Sequence, residues 1–315
     1  MTTTSPLGNS GLTIAPLVLG GNVFGWTADR AASFAVLDAF VAGGGTMIDT
    51  ADLYSAWAPG HTGGESERMI GDWLRASGRR DDVLIATKVG MLPGDGGTGL
   101  APARVAAAVD ASLARLGTDR IDLYYAHCDD PAVPLADMLG AFDRLVRVGK
   151  VRAIGASNFT GPRLEEAAGV AAAHGLTPFS VVQPHYNLLE RAEFETDLLP
   201  VVAERRLGVL PYYGLAAGFL TGKYRRTDDL VGARGAGAAR YLDARGLAVL
   251  GALDMVAARH VANPARIALA WLMAKPGVAA PIASATSADQ VADLIAAMTI
   301  ALTADDIAAL DAAGA

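Results

Sequence analysis

Asp49, Tyr54, Lys88 and His127 are residue types that together can hand a proton to an oxygen, provided one fold brings them to one place. A tyrosine hydroxyl titrates at about 10, so at neutral pH it is a proton donor, and a weak one. A neighbouring ammonium favours the phenolate and lowers that value, and a carboxylate paired with the lysine holds the ammonium in place. A histidine can donate a hydrogen bond to a carbonyl oxygen that is gaining negative charge. Such a cluster suits protonation of an oxygen while another species attacks the carbon. It contains no good nucleophile of its own. The attacking species therefore comes from outside the protein, and a hydride from a nicotinamide is the natural candidate.

The elements that must position these residues are legible as short apolar runs. Asp49 ends the run 46–48, Lys88 ends 83–87 and His127 ends 121–126, and a helical pattern follows each. Tyr54 stands five residues beyond Asp49, in a loop. Further strand candidates lie at 17–21, 151–156, 179–183, 208–212 and 278–282. Eight strands alternating with helices predict an α/β chain folded as a (β/α)8 barrel, a single domain over 1–315. In such a barrel the strand C-termini converge on one face, so residues far apart in sequence can meet there.

The stretch Met47-Ile48-Asp49-Thr50-Ala51-Asp52-Leu53-Tyr54, with Lys88 and His127 at later strand ends, resembles the signature of the aldo-keto reductases. The resemblance covers nearly the whole chain. It implies a TIM barrel that binds NADP(H) in extended form without a Rossmann domain. It also implies Tyr54 as general acid, Lys88 and Asp49 as its tuning pair, and His127 as the group that orients the carbonyl. Any one of these residues alone is as readily a salt bridge; the four in order are the informative observation. Residues 6–12, with Asn9 and Gly8 between apolar flanks, read as a hairpin and resemble the one that plugs the bottom of the reductase barrel.

Composition bounds the alternatives. Charged residues make up 19% and the hydrophobic set 52% of 315 residues, a globular rather than a disordered balance. A net charge of −7 argues against nucleic acid or an anionic membrane as partner. Cys128 is the single cysteine, so there is no internal disulfide and no cysteine-based metal cluster. Strand alternation points it away from His127, as a buried thiol. The N-terminal stretch has no basic n-region followed by an apolar h-region, and no apolar run reaches membrane-spanning length, so a cytoplasmic location is expected.

Helices are expected at 30–42, capped by Asp29 and stopped by Gly43-Gly44-Gly45, and at 65–75, 102–116, 134–148 and 162–174. Trp26 and Phe24, after the first strand, and Trp57, in the long loop 55–64, are candidate pocket walls. Aromatic residues in such places are as often packing. His61 in that loop is expected to be solvated. Met91 and the chain after Tyr213 complete the expected pocket, whose aromatic walls suit an apolar or sugar-ring substrate face.

The cofactor contacts that the resemblance implies lie at the later strand ends. Ser157, Asn158 and Gln183 offer side-chain amides and a hydroxyl, which can match a carboxamide; capping and loop bonding are the plain alternative. Tyr212 corresponds to the aromatic that stacks on the nicotinamide, and Gly21 and Asn22 follow the first strand. The segment 212–223 resembles the one that wraps the pyrophosphate: Gly214, Leu215 and Gly218 let backbone N–H groups approach phosphate oxygens, and Lys223 adds charge. It has Tyr213-Gly214 where relatives carry Ser-Pro. The excursion 225–246 is expected to be mobile and to close over the cofactor, or to be a loose surface loop. Ser284, Thr286 and Gln290 occupy the expected adenosine-phosphate site. They offer hydrogen bonds but no charge, so discrimination between NADPH and NADH should be weak, unless Arg225 or Arg226 supplies the charge.

Three activities fit these residues. The first is reduction of an aldehyde or ketone, a small-molecule carbonyl substrate, with NADP(H) or NAD(H). The second is oxidation of a sugar or alcohol by the same site in reverse. The third is a regulatory barrel that retains its cofactor, like the barrel subunits of potassium channels.

Overall fold

The computed structural model describes residues 4–315; the first three residues of the expected 1–315 unit lie outside the described residues. Eight parallel strands form one sheet, neighbours in chain order pairing from the first to the eighth but one and the last pairing with the first. They are β3 (Val18–Gly20), β4 (Met47–Asp49), β5 (Leu84–Val89), β6 (Ile121–Ala126), β7 (Val151–Ser157), β8 (Val181–Gln183), β9 (Gly208–Val209) and β10 (Ile282–Ala283). A bridge between Val209 and Val278, with Ile282 N–H donating to the Pro211 carbonyl at 2.9 Å, closes the ring. The result is the (β/α)8 barrel.

Strand alternation sorts the side chains. Met47, Ala86, Leu123, Tyr125, Ala153 and Val181 belong to an inner apolar cluster, whereas Ile48, Ile85 and Tyr124 belong to the larger one between strands and helices. Two residues on from Met47, Ala86, Tyr125 and Val181 stand Asp49, Lys88, His127 and Gln183. The period of two therefore aims these residues along the barrel interior at its C-terminal mouth. The register keeps them level, with Asp49 beside Ala86, Lys88 beside Tyr125 and Ser157 beside Gln183.

The other end of the barrel is shut by the hairpin β1 (Ser5–Pro6) and β2 (Thr13–Ile14). Leu7, Leu12 and Ile14 complete the inner cluster. Gly8 sits at φ +54°, and a Cβ there would lie 2.1 Å from the Gly208 nitrogen, so only glycine permits this close approach.

Helices α1 (Arg30–Ala42), α2 (Glu65–Ser77), α3 (Pro102–Leu116), α4 (Leu135–Arg147), α5 (Gly161–His174) and α6 (Leu199–Arg205) cover the barrel in turn. Asp29 caps α1 by accepting from the Ala32 N–H, as its sequence position implied. After β9 come the short α7 (Gly235–Ala239), then α8 (Ala244–Arg259), α9 (Pro264–Ala274), α10 (Ala288–Ala297) and α11 (Ala304–Ala313). Four strands are clearly shorter than the apolar runs suggested, β3 and β8 by two residues each and β9 and β10 by three each. β9 stops at Val209 and β10 begins at Ile282, because Pro211 and Pro281 have no N–H to extend a ladder. Among the described residues, no helix is long and apolar enough to cross a membrane.

Candidate active site

At the C-terminal mouth Lys88 is fully buried, and its ammonium has three acceptors. It donates to Asp49 Oδ1 at 2.5 Å, to the Thr50 carbonyl at 2.8 Å and to the Tyr54 hydroxyl at 2.8 Å. That accounts for all three of its protons. Burial pulls the ammonium below its ordinary pKa, while the Asp49 carboxylate works against that pull. The other Asp49 oxygen, Oδ2, accepts from Gln183 Nε2 at 2.9 Å.

Burial first, and the Asp49 charge second, push the Tyr54 phenol well above 10, so it holds its proton at neutral pH. That proton has only a long contact, 3.4 Å to Asp49 Oδ1, and can turn to a better acceptor in the cavity. His127 stands edge-on to Tyr54, with ring centroids 6.2 Å apart. Burial, then the Lys88 charge, lowers its pKa to about 3, so the imidazole is neutral. Among the described residues its Nδ1 is buried without a partner, which leaves Nε2 as the nitrogen that serves the cavity. The site thus joins a protonated phenol, a cation behind it and a neutral imidazole beside it.

A second buried cluster lies behind the strands. Thr87, which points outward from β5, donates to Glu67 Oε1 at 2.6 Å, and Arg115 Nε reaches Glu67 Oε2 at 2.6 Å. Arg104 reaches Asp52 Oδ2 at 3.3 Å, but Asp52 Oδ1 has no partner among the described residues. Burial, then the Glu67 charge, raises the Asp52 pKa to about 7.

From Tyr54 and His127 a cavity of about 870 Å³ runs along the mouth to Gln290 and Asp293. Ser157, Asn158, Gln183 and Tyr212 are on its wall near the phenol. Their groups are mutually bonded: Asn158 Nδ2 donates to the His127 carbonyl at 2.8 Å, and the Tyr212 hydroxyl donates to Asn158 Oδ1 at 2.8 Å. The Ser157 hydroxyl donates to the Gln183 carbonyl at 2.9 Å. Tyr212 lies outside the strand, and its ring stacks on His185 at 5.2 Å, so one face is covered.

Gly214, Leu215, Gly218 and Lys223 are also on the wall, as are Asn22, Ser284, Thr286 and Gln290. Tyr213, Ala216 and Ala217 have φ of +54°, +48° and +55°, followed by Gly218 at +89°. Left-handed backbone costs a non-glycine residue roughly 1–2 kcal/mol, and such outliers gather at ligand sites. Gln290 Oε1 accepts from the Thr286 N–H at 2.9 Å, so its amide NH2 is the end left for a ligand.

Several expected placements change. Gly21 is not on the wall; Gly20 is, and Gly21 instead donates its N–H to the Asp49 carbonyl at 2.7 Å. Trp26 is not on the wall either; it packs edge-on against Trp57 at 5.5 Å, and Trp57 is the ring that faces the cavity. Phe24 is fully buried core. His61 is half-buried with an unpartnered Nδ1, not solvated, and Cys128 is only half-buried. Arg225 is held by Asp254 at 2.7 Å, and neither it nor Arg226 is on the wall. The excursion 225–246 is structured in part by α7 and contributes Val231, Gly232, Ala233 and Arg234 to the cavity.

Arg234 is a wall residue that no strand or helix periodicity in the sequence marks. It and Lys223 are on the cavity wall without an ion-pair partner among the described residues. The available signal was an arginine within a Gly/Ala-rich stretch, Gly232-Ala233-Arg234-Gly235, close after Lys223.

The sequence model described as "Aldo/keto reductase family" matches residues 16–315. The chain is 35% identical to the "Uncharacterized oxidoreductase YrpG" of Bacillus subtilis, over 94% of this chain and 91% of that one. It is 33% identical to "Protein tas" of Escherichia coli, over 96% and 95%. It is 32% identical to "Norsolorinic acid reductase B" of Aspergillus parasiticus, over 95% and 80%. With its barrel, Asp49, Lys88 and His127 at strand ends, Tyr54 in the loop after Asp49, and these relatives, the chain belongs to the aldo/keto reductase family and is an oxidoreductase.

Proposed function

We propose that this protein reduces an aldehyde or ketone to the alcohol, using NADPH or NADH, with Tyr54 as the proton donor. One observation carries the reading: a single cavity is lined by Tyr54, which Lys88 backs at 2.8 Å, and further along by Lys223 and Arg234, two cations without an ion-pair partner among the described residues.

The cavity suits an extended dinucleotide. Arg234 is half-buried and Lys223 exposed, and a partly desolvated cation without a counter-ion gains when an anion completes it. Burial holds Arg234 below the usual guanidinium value, and a pyrophosphate would relieve this. The left-handed run 216–218 turns the backbone beside these cations, and the small side chains there let phosphate oxygens approach. Near Tyr54, Gln183 Oε1 and the open face of Tyr212 remain for a carboxamide-bearing ring.

When bound, a reduced nicotinamide supplies a hydride to the carbonyl carbon. As the carbonyl oxygen takes up the electron pair, the Tyr54 hydroxyl gives it a proton and becomes a phenolate. Lys88, already on that oxygen, stabilises the phenolate. His127, neutral and in its Nε2–H tautomer, donates to the carbonyl oxygen and sets its position. Asp49 and Gln183 fix Lys88 from behind. The same residues serve the reverse oxidation, since Tyr54 returns as the base.

Trp57, Met91, Tyr213 and Val231 are exposed apolar side chains on the cavity wall, and Trp57 stands edge-on to Tyr54 with ring centroids 6.0 Å apart. They favour a substrate with a flat ring or apolar face over a small charged one.

The test compares wild type with Tyr54→Phe, following loss of reduced-nicotinamide absorbance with an aromatic aldehyde, a short aliphatic aldehyde, a dicarbonyl and a cyclic ketone. Turnover should be lost in the variant while nucleotide binding remains. Equal turnover in both proteins would overturn the mechanism. No turnover in either, with a nucleotide tightly retained, would favour the regulatory reading.

A further inference from the structure

The far end of the cavity, opposite the chemistry, is built by two helix starts. Asn263, whose side chain caps α9, and Ala265 line it from one side. Gln290, Asp293 and Leu294 line it from the other. These three follow the i, i+3, i+4 spacing and so share one face of α10. Arg266, on α9, donates from Nε to Asp293 Oδ1 at 3.0 Å and from Nη2 to the same oxygen. The ion pair bridges the two helices at the cavity rim, and its side chains are 31% and 43% exposed. Among the described residues nothing donates to Asp293 Oδ2.

The two members have opposite preferences for what sits at a ribose. A carboxylate accepts from a 2′-hydroxyl and repels a 2′-phosphate, whereas a guanidinium fork binds the phosphate. Held together, they cancel, and the neighbouring Thr286 and Gln290 add no charge. We propose that the Arg266–Asp293 pair is the specificity determinant for the coenzyme: it keeps this end neutral, so NADPH and NADH are both accepted. The inference rests on the cofactor reading above.

Each half of the pair then becomes a separate handle. Asp293→Asn removes the repelling charge and frees Arg266 to reach a 2′-phosphate. Arg266→Gln leaves Asp293 unpaired, facing the ribose. The first should move the ratio of dissociation constants towards NADPH and the second towards NADH, each by about tenfold, or about 1.4 kcal/mol. The double variant should return near the wild-type ratio.

The experiment measures dissociation constants for NADPH and NADH on the full chain by quenching of tryptophan fluorescence. Competition by adenosine 2′,5′-bisphosphate and by 5′-AMP reports on this end of the cavity alone. Opposite shifts in the two single variants support the inference. Ratios within about twofold of wild type in both, or shifts in the same direction, overturn it while leaving the cofactor reading intact. A wild-type preference above about 10³ for either coenzyme, roughly 4 kcal/mol, also overturns it. If wild type binds neither nucleotide, the cofactor reading and this inference fall together. Both positions are partly exposed, and a variant that fails to fold leaves the other single variant to decide.

Discussion

Gln183 donates from Nε2 to Asp49 Oδ2 at 2.9 Å, across the barrel mouth and 134 residues away in sequence. Because Lys88 occupies Oδ1, Asp49 is held from both sides and cannot rotate out of line. Replacing Gln183 by Leu leaves a buried carboxylate oxygen without a partner. The expected cost is about 1–3 kcal/mol of unfolding free energy, together with a fall in kcat. Denaturant unfolding beside steady-state kinetics checks this; an unchanged midpoint would show that water or another donor replaces the amide.

Lys88→Met should be the more severe change. It strands Asp49 as a buried charge, for which a loss of about 3–5 kcal/mol is expected. It also removes the cation that stabilises the Tyr54 phenolate, so kcat should drop by about 10²–10³. Lys88→Met combined with Asp49→Asn should recover most of the stability and none of the activity. Recovery of both would contradict the role given to Lys88.

Two buried groups make opposite demands on pH. The His127 pKa falls from 6.5 to about 3 on folding. The unfolded chain therefore takes up that proton first, and this residue weakens the fold as pH drops from 6.5 towards 3. The Asp52 pKa rises from 3.8 to about 7, so the folded chain keeps that proton longer. This residue strengthens the fold over nearly the same descent. The two slopes oppose each other. Asp52→Asn should expose a loss of stability on acidification, and His127→Asn should show the reverse trend relative to wild type. Unfolding midpoints at several pH values between about 7 and about 4 would decide it, and identical slopes in the two variants would refute the assignment.

Trp57 is 47% exposed at the cavity mouth and is braced by Trp26. Trp57→Ala should raise KM for an aromatic aldehyde by about tenfold and leave a short aliphatic aldehyde nearly unaffected. Trp26→Ala should act in the same direction but more weakly, through loss of the brace. Equal effects on both substrates would show that Trp57 shapes the loop rather than contacting the ring.

Much of this arrangement was readable from the chain because each strand carries its own signal. Asp49, Lys88 and His127 stand two residues beyond Met47, Ala86 and Tyr125 on the same strand face, and a period of two needs no tertiary information. Loop positions carry no such period. Trp26 and Trp57 are equivalent as sequence, and only the folded loops decide which ring faces the cavity. Arg234 was hidden for a related reason. The chain reaches it after left-handed turns at Tyr213, Ala216 and Ala217, conformations that those residue types do not advertise. The Arg266–Asp293 pair depends on two helices separated in sequence, and no local pattern announces it.

The strands of the ring are unequal in length, long on one side, short at the closing seam, and of three residues at β3, β4 and β8. β5, β6 and β7 run for 6, 6 and 7 residues, whereas β9 and β10 have 2 each. Amides on the long strands should exchange with solvent only when the whole domain opens, and those at the closing seam through local opening. Lys88 and His127 belong to the slow side. Tyr212, Ser284 and Thr286 belong to the fast seam. Local opening is therefore expected first at the closing seam and last around Lys88 and His127, with Asp49 and Gln183, on three-residue strands, in between.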